Sequence, residues 1–176
     1  MTLIPKRTIM DAEEMNRTLK RMATEMVERM PDQENLVLVG IQTRGVPLAK
    51  RLQSLIPGAD LGILDITFYR DDLTIIAPSP VVHRTEINGS LDGKKVILID
   101  DVLFTGRTIR AAIDNLLDYG RPAFIRLAVL VDRGHRELPI QADFVGRNIP
   151  TAFKEVVEVR VREVDGEDGV LIMERE

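Results

Sequence analysis

From residue 11 to residue 30 the apolar positions recur at steps of three and four: Met15, Leu19, Met22, Ala23, Met26, Val27 and Met30. That spacing lays them along one stripe of a helix. Asp11 and Glu14 stand at capping-box spacing ahead of it, and Pro31 stops it. The methionine stripe reads as core or subunit contact. The period then changes. Residues 36–41 are a short apolar run, which predicts a buried strand. Residues 47–56 read as a helix closed by Pro57 and Gly58, and residues 62–69 as a second strand.

Residues 70–92 hold Pro78, Pro80 and Gly89 and only two weak apolar patches. A long irregular connection inside a small domain is unusual unless it works as a lid. A mobile flap is therefore expected here, built as a loose two-stranded ribbon. Regular pattern resumes with the aliphatic run 96–99, a strand buried on both faces. A helix is expected from Thr108, with Ile109, Ala112, Ile113, Leu116 and Leu117 on one face and Gly120 and Pro122 ending it. Residues 124–131 are another buried strand, so strand, helix and strand make a parallel βαβ unit. Later strands are expected at 142–146 and 156–164. Asp165-Gly166 then turns the chain, and 170–173 pairs back as a hairpin. The expected fold is one α/β domain: a central parallel sheet flanked by helices, the flap, and a small C-terminal hood over 132–176.

Composition narrows the chemistry. The 176 residues suit one domain with a sizeable core. No cysteine is present, which excludes disulfides, thiolate metal sites and cysteine nucleophiles; two histidines argue against a histidine metal cluster. The net charge is −4, so any nucleic-acid footprint must be a local patch. No apolar run approaches the roughly 18 residues of a membrane span. The first ten residues lack the apolar core of a signal peptide, so a cytoplasmic protein with no membrane partner is expected.

The run Val96-Ile97-Leu98-Ile99-Asp100-Asp101-Val102-Leu103-Phe104-Thr105-Gly106-Arg107-Thr108 carries the chemistry. A buried strand ends in two carboxylates at the edge where ligands sit in open α/β sheets. A short loop with hydroxyls and a glycine then opens a helix, whose first N–H groups favour an anion. Thr105 and Thr108 add donors, and Gly106 allows close backbone approach. A sugar phosphate fits, with its phosphate on the loop and its ribose hydroxyls on Asp100 and Asp101. Two adjacent carboxylates repel, so donors or a cation are needed beside them. A Walker B strand would have the same look, but no G-x-x-x-x-G-K-[ST] precedes it. A phosphoacceptor cluster would be expected nearer the start of the domain. Asp-Asp alone would suit a plain turn with surface acids; the Thr-Gly-Arg-Thr that follows argues against that.

This run resembles the phosphoribosyl pyrophosphate (PRPP) motif of type I phosphoribosyltransferases. Four further stretches, at 39–45, 64–72, 130–140 and 142–151, resemble the pyrimidine operon regulator (PyrR) family, so the similarity spans almost the whole chain. The resemblance implies the type I phosphoribosyltransferase fold and two activities. One is transfer of phosphoribose from PRPP to uracil, giving UMP and pyrophosphate with Mg²⁺ bound through PRPP. The other is binding of pyrimidine-gene leader mRNA in response to UMP or UTP, with regulation by transcription attenuation or translational repression. By the same resemblance Asp100 and Asp101 hold the ribose hydroxyls. Val102, Leu103, Phe104, Thr105, Gly106, Arg107 and Thr108 form the PRPP loop, with Thr105 to Thr108 around the 5-phosphate. Thr43 and Arg44 in the loop after the first core strand would meet the diphosphate. Tyr69, Arg70 and the flap to Arg84 match the family's closing loop, and Arg84 would arrive with the lid as a catalytic cation. Arg133 would line the base side.

For RNA, charge singles out Lys20, Arg21 and Arg29 on the first helix, and His135, Arg136 and Arg147 in the C-terminal half. A homodimer or higher homo-oligomer is expected and would double the patch. Thr24 and Gln141 are uncharged where the family pattern would be basic. A regulator that only senses nucleotides and a purine phosphoribosyltransferase remain as alternatives.

Overall fold

The structure is a computed structural model and describes residues 2–67 and 84–176. It opens on β1 (Leu3–Met10), a strand that the apolar pattern does not predict, because six of its eight side chains are exposed. The first helix, α1 (Ala12–Arg29), forms as its spacing predicts. Asp11 Oδ1 accepts the Glu14 amide at 2.8 Å, and Glu14 Oε2 accepts the Asp11 amide at 3.0 Å. There follow β2 (Leu36–Ile41), α2 (Gly45–Leu55), β3 (Asp60–Leu64), β4 (Lys95–Leu103), α3 (Arg107–Leu116), β5 (Phe124–Asp132) and β6 (Phe144–Asn148). β7 (Val156–Arg160), the single turn α4 (Arg162–Asp165) and β8 (Gly169–Arg175) complete the chain. No helix among the described residues is long and apolar enough to cross a membrane.

Five strands make a parallel sheet in the order β3-β2-β4-β5-β6. Its central strand shows why two apolar layers are needed. Successive strand residues face opposite sides. Ile97 and Ile99 of β4 join the methionines of α1 and Leu48, Ala49 and Leu52 of α2. Val96 and Leu98 join Ile109, Ala112 and Leu116 of α3. The methionine stripe of α1 is thus core.

The remaining strands form an antiparallel sheet, β1-β8-β7. Its Val157, Val159, Val170 and Ile172 pack into the α1–α2 side of the core. The expected hairpin is present as β7 and β8, but the hood is not C-terminal alone. β1 satisfies the second edge of β8, a backbone requirement that leaves little trace in side-chain pattern.

Several boundaries differ from expectation: β6 runs over Phe144–Asn148 rather than 142–146, and β4 extends past the 96–99 run through Asp100 and Asp101 to Leu103. The strand expected over 62–69 ends at Leu64, because Asp65 Oδ1 takes both the amide and the hydroxyl of Thr67, at 3.0 and 2.6 Å. The strand expected over 156–164 ends at Arg160, because Asp165 Oδ2 accepts the Val161 amide at 2.8 Å and winds α4. Residues 84–92, expected within the flap, are attached to the body. Ile63 and Glu86 exchange hydrogen bonds of 2.9 and 2.7 Å, and Leu91 is buried. Tyr69, Arg70 and His83 lie outside the described residues.

The topology itself marks a crevice. From β2 the chain steps to one side, to β3, while β4, β5 and β6 run out on the other. A reversal of this kind separates the connections of neighbouring strands and opens a cleft beyond their carboxyl ends. Here β2 leaves β4 after Gly40 and Ile99, whereas β4 continues beside β5 as far as Leu103 and Asp132.

Candidate active site

Asp100 and Asp101 stand where β4 loses its β2 neighbour. The carboxylates take up amides there: Asp100 Oδ1 accepts the Asp101 amide at 2.9 Å, and Asp101 Oδ1 accepts the Val102 amide at 2.8 Å. Two bonds of this kind ease the crowding of adjacent charges. Strand alternation sends the two to different sides. Asp100, 7 % exposed, follows Val96 and Leu98 towards α3. Asp101 follows Ile97 and Ile99 towards α2 and is within electrostatic reach of Arg44.

After β4, residues 104–106 turn into α3. Gly106 takes φ = 93°, the left-handed region that glycine enters without penalty. The cap residue Gly106 has no side chain to offer, and Thr105 Oγ1 accepts the Arg107 amide at 3.3 Å; the remaining outward N–H groups favour an anion. The loop is held from behind. Thr105 O accepts the amides of Glu137 and Leu138 at 2.9 and 3.2 Å, and Arg107 Nε donates to Glu137 Oε2 at 2.7 Å.

The second loop, 42–44, joins β2 to α2 and contains a cis peptide between Gln42 and Thr43. Thr43 is exposed and Arg44 half-buried. The loop lies directly on β4: a Cβ on Gly45 would come within 2.5 Å of the Ile99 carbonyl oxygen. Only glycine lets the loop sit this close to the strand. Arg44 does not hang free. Its Nε and Nη2 donate to the two oxygens of Asp165 at 3.1 and 2.7 Å. The Asp165 carboxylate holds the Arg44 guanidinium above its ordinary value, and Arg44 in turn holds Asp165 below its own. Sequence reasoning missed Asp165, which lies 121 positions away and carries no local signal.

An aromatic cluster surrounds Arg133. Arg133 is 5 % exposed, with its guanidinium carbon 4.0 Å above the Phe104 ring. Its Nη2 donates to the carbonyls of Ala152 and Phe153 at 3.2 and 3.4 Å, while Nε has no partner among the described residues. Burial lowers the Arg133 pKa. His135 and Phe153 close the group, with ring centroids 5.6 Å apart and 5.9 and 5.8 Å from Phe104. Phe153, 67 % exposed, was not foreseen.

The cations singled out for RNA divide into two sets. Lys20, Arg21 and Arg29 are exposed on α1. Arg21 donates to the Val145 and Gly146 carbonyls, and Arg29 donates to the Asp143 carbonyl at 2.7 Å and lies over the Phe144 ring. Arg147, next along β6, donates to Ile9 O at 2.7 Å. His135 and Arg136 are elsewhere, against the loop that follows β4. Arg136 donates to Phe104 O, Ile140 O and Asp132 Oδ2, each at 2.7 Å. Arg84 is exposed at the end of the undescribed segment.

Among the described residues no cluster of three or more acidic or histidine groups could hold a metal ion. A Mg²⁺ that takes most of its ligands from a phosphate substrate would need no more than one or two protein carboxylates, such as Asp100 or Asp101 at this strand end.

Residues 7–163 match the family model of the phosphoribosyl transferase domain. In fold the chain is similar to hypoxanthine-guanine phosphoribosyltransferase from Bacillus anthracis, with TM-score 0.71, 18 % identity, and 96 % of this chain and 98 % of that one covered. It is also similar to the hypoxanthine phosphoribosyltransferase of Trypanosoma cruzi, with TM-score 0.69, 20 % identity and 98 % of each chain covered. In sequence it is 57 % identical over 176 residues to the bifunctional protein PyrR of Thermus thermophilus, with 97 % of both covered. It is 55 % identical over 174 residues to that of Pelotomaculum thermopropionicum, with 96 % of both covered. The switch-point crevice, its two loops and these likenesses agree: the chain belongs to the phosphoribosyltransferase domain family and, within it, to the PyrR proteins.

Proposed function

We propose that this protein transfers the phosphoribosyl group of PRPP to uracil, and that it also binds leader RNA of pyrimidine genes under the control of uridine nucleotides. The observation that carries the enzyme reading is one juxtaposition. The N-terminus of α3, the Asp100–Asp101 pair and Arg44 converge at the point where β2 and β4 part. The 5-phosphate rests on 105–108, the ribose hydroxyls on the two carboxylates, and the diphosphate beside Thr43 and Arg44. The flat uracil ring enters at Phe104, His135, Phe153 and Arg133.

The reaction needs no protein nucleophile. Uracil N1 bonds to C1 of the ribose as the C1–oxygen bond to pyrophosphate breaks, and N1 gives up its proton. Charge builds up on the departing pyrophosphate and on an oxocarbenium-like sugar. The chain contributes position and fixed charge: loop amides for the phosphate, carboxylates for the ribose, the Arg44 fork for the leaving group. Mg²⁺, when bound, supplies countercharge to the diphosphate and a template for it. Arg84 is assigned to closure over the diphosphate.

For RNA we assign Lys20, Arg21, Arg29 and Arg147, which gather about α1 and β6, and assign His135 and Arg136 chiefly to the PRPP loop. The likeness to bifunctional PyrR proteins supports two activities on one chain. The test is an assay of labelled uracil, hypoxanthine, adenine and orotate with PRPP and Mg²⁺. UMP is expected from uracil alone, and only with Mg²⁺. Turnover of a purine base without turnover of uracil would overturn the reading and leave the fold.

A further inference from the structure

The segment 162–168 touches α2 through three carboxylates, and the three do different work. Arg51 is gripped by two of them: Nε and Nη2 donate to Glu163 at 2.9 and 2.6 Å, and Nη1 and Nη2 donate to Asp168 at 3.1 and 2.7 Å. This attaches the small sheet to the middle of α2. The third, Asp165, reaches past that attachment to the residue that begins α2, Arg44. Its carboxylate is itself set in place. Oδ2 accepts the Val161 amide at 2.8 Å, and the Asp165 amide donates to the Val161 carbonyl at 2.7 Å. Asp165 is thus fixed before Arg44 arrives.

We infer that Asp165 is a positioning residue for the transfer reaction: it holds the Arg44 guanidinium by one edge so that the opposite edge faces the diphosphate. This rests on the reading of Arg44 as a diphosphate contact. A guanidinium has about five N–H donors, of which Asp165 takes two, so the fork keeps donors for a ligand. An unrestrained arginine would lose rotamer freedom on meeting the diphosphate, and a pre-set one has little left to lose. The bidentate grip fixes the plane of the group as well as its place. Asp101 lies on the other side, within electrostatic reach, so the guanidinium spans the gap between the two sheets at the leaving-group end of the site. Asp165 touches no substrate and acts through Arg44.

The test compares full-length wild type with Asp165→Asn, Arg44→Ala, the double variant and Glu163→Gln. Asparagine keeps an acceptor for the Val161 amide, so the α4 turn is retained. Asp165→Asn is expected to raise KM for PRPP by about tenfold, and the inhibition constant of pyrophosphate as product by a similar factor. KM for uracil and kcat should stay within about twofold. In the Arg44→Ala background the Asp165 change should add nothing. Glu163→Gln, which loosens the attachment of the small sheet, should leave KM for PRPP as in wild type. An unchanged or lowered KM for PRPP in Asp165→Asn, an additive double variant, or an equal rise in Glu163→Gln overturns the inference. If Arg44→Ala alone leaves KM for PRPP unchanged, the reading of Arg44 fails first. If Arg44→Ala raises it and Asp165→Asn does not, that reading stands and the positioning role falls.

Discussion

Gly45 and Asp101 illustrate two ways in which one side chain matters at this site. Gly45 matters by what it lacks. Its missing Cβ lets the 42–44 loop lie on the Ile99 carbonyl. Gly45→Ala is expected to push the loop off β4 and to cost roughly 1–3 kcal/mol of stability, as overpacking does. Urea unfolding measures this, and a midpoint equal to wild type would show that the contact relaxes freely. Asp101 matters by its charge. The bond from the Val102 amide to its Oδ1 survives in Asp101→Asn, and the exchange removes a like charge next to Asp100. Stability is therefore expected to hold or rise slightly. The kcat/KM for PRPP should fall by roughly 10- to 100-fold, the scale of a hydrogen bond to a charged group. A lowered melting temperature with full activity would make Asp101 structural.

Among the elements, the connection from β5 to β6 shows that a basic residue is not yet a nucleic-acid contact. Arg136 spends its donors inside the chain, tying Asp132 at the end of β5 to the Phe104 carbonyl in the loop after β4. Arg136→Ala should leave a partly buried carboxylate and carbonyl without partners and lower stability by about 1–3 kcal/mol. Unchanged urea unfolding with weakened RNA binding would instead mean that the guanidinium is released to RNA. The 162–168 segment adds a pH dependence. Arg44 beside Asp165 and Arg51 beside Glu163 hold these carboxyls below their ordinary values of 3.8 and 4.5. Groups whose pKa is depressed on folding contribute stability above their unfolded value and lose it as pH falls through the folded one. The melting temperature should therefore fall as pH drops below about 4. The fall should be shallower in a variant carrying both Asp165→Asn and Glu163→Gln. Parallel declines in the two proteins would show that these pairs contribute nothing.

Across the whole molecule, two surfaces must communicate if nucleotide governs RNA. A nucleotide raises RNA affinity only by binding the RNA-competent state better, and RNA must then raise nucleotide affinity by the same factor. The expected result is that UMP tightens binding of a structured pyrimidine leader RNA in a filter-binding titration. Arg21→Ala or Arg147→Ala should weaken binding and flatten its dependence on salt by roughly 0.7–0.9 of an ion per lost contact. Uracil transfer should persist, since neither residue belongs to the PRPP or pyrophosphate loop. Affinity no better than for unrelated RNA of equal length, and indifferent to UMP, would leave the enzyme alone. Whatever the outcome for RNA, Arg21 covers the Val145 and Gly146 carbonyls of β6, an edge strand of the five-stranded sheet, and Arg29 covers the Asp143 carbonyl just before it.

Wherever information was local, the amino-acid sequence sufficed. The capped methionine helix, the aliphatic strand at 96–99 and the Thr-Gly-Arg-Thr loop each depend on neighbours within a few positions, through periodicity, capping and φ preference. The parallel order of the core follows from strand, helix and strand in succession. Other features depend on pairs far apart in the chain. β1 meets β8 through backbone hydrogen bonds, which are blind to side-chain identity, so a mixed and exposed strand escaped notice. Asp165 and Arg44, or Arg136 and the Phe104 carbonyl, look alone like any surface charge. Only the tertiary structure decides which charges meet, because a hydrogen bond needs its partner within about 3 Å, and the fold alone brings residues 44 and 165 that close.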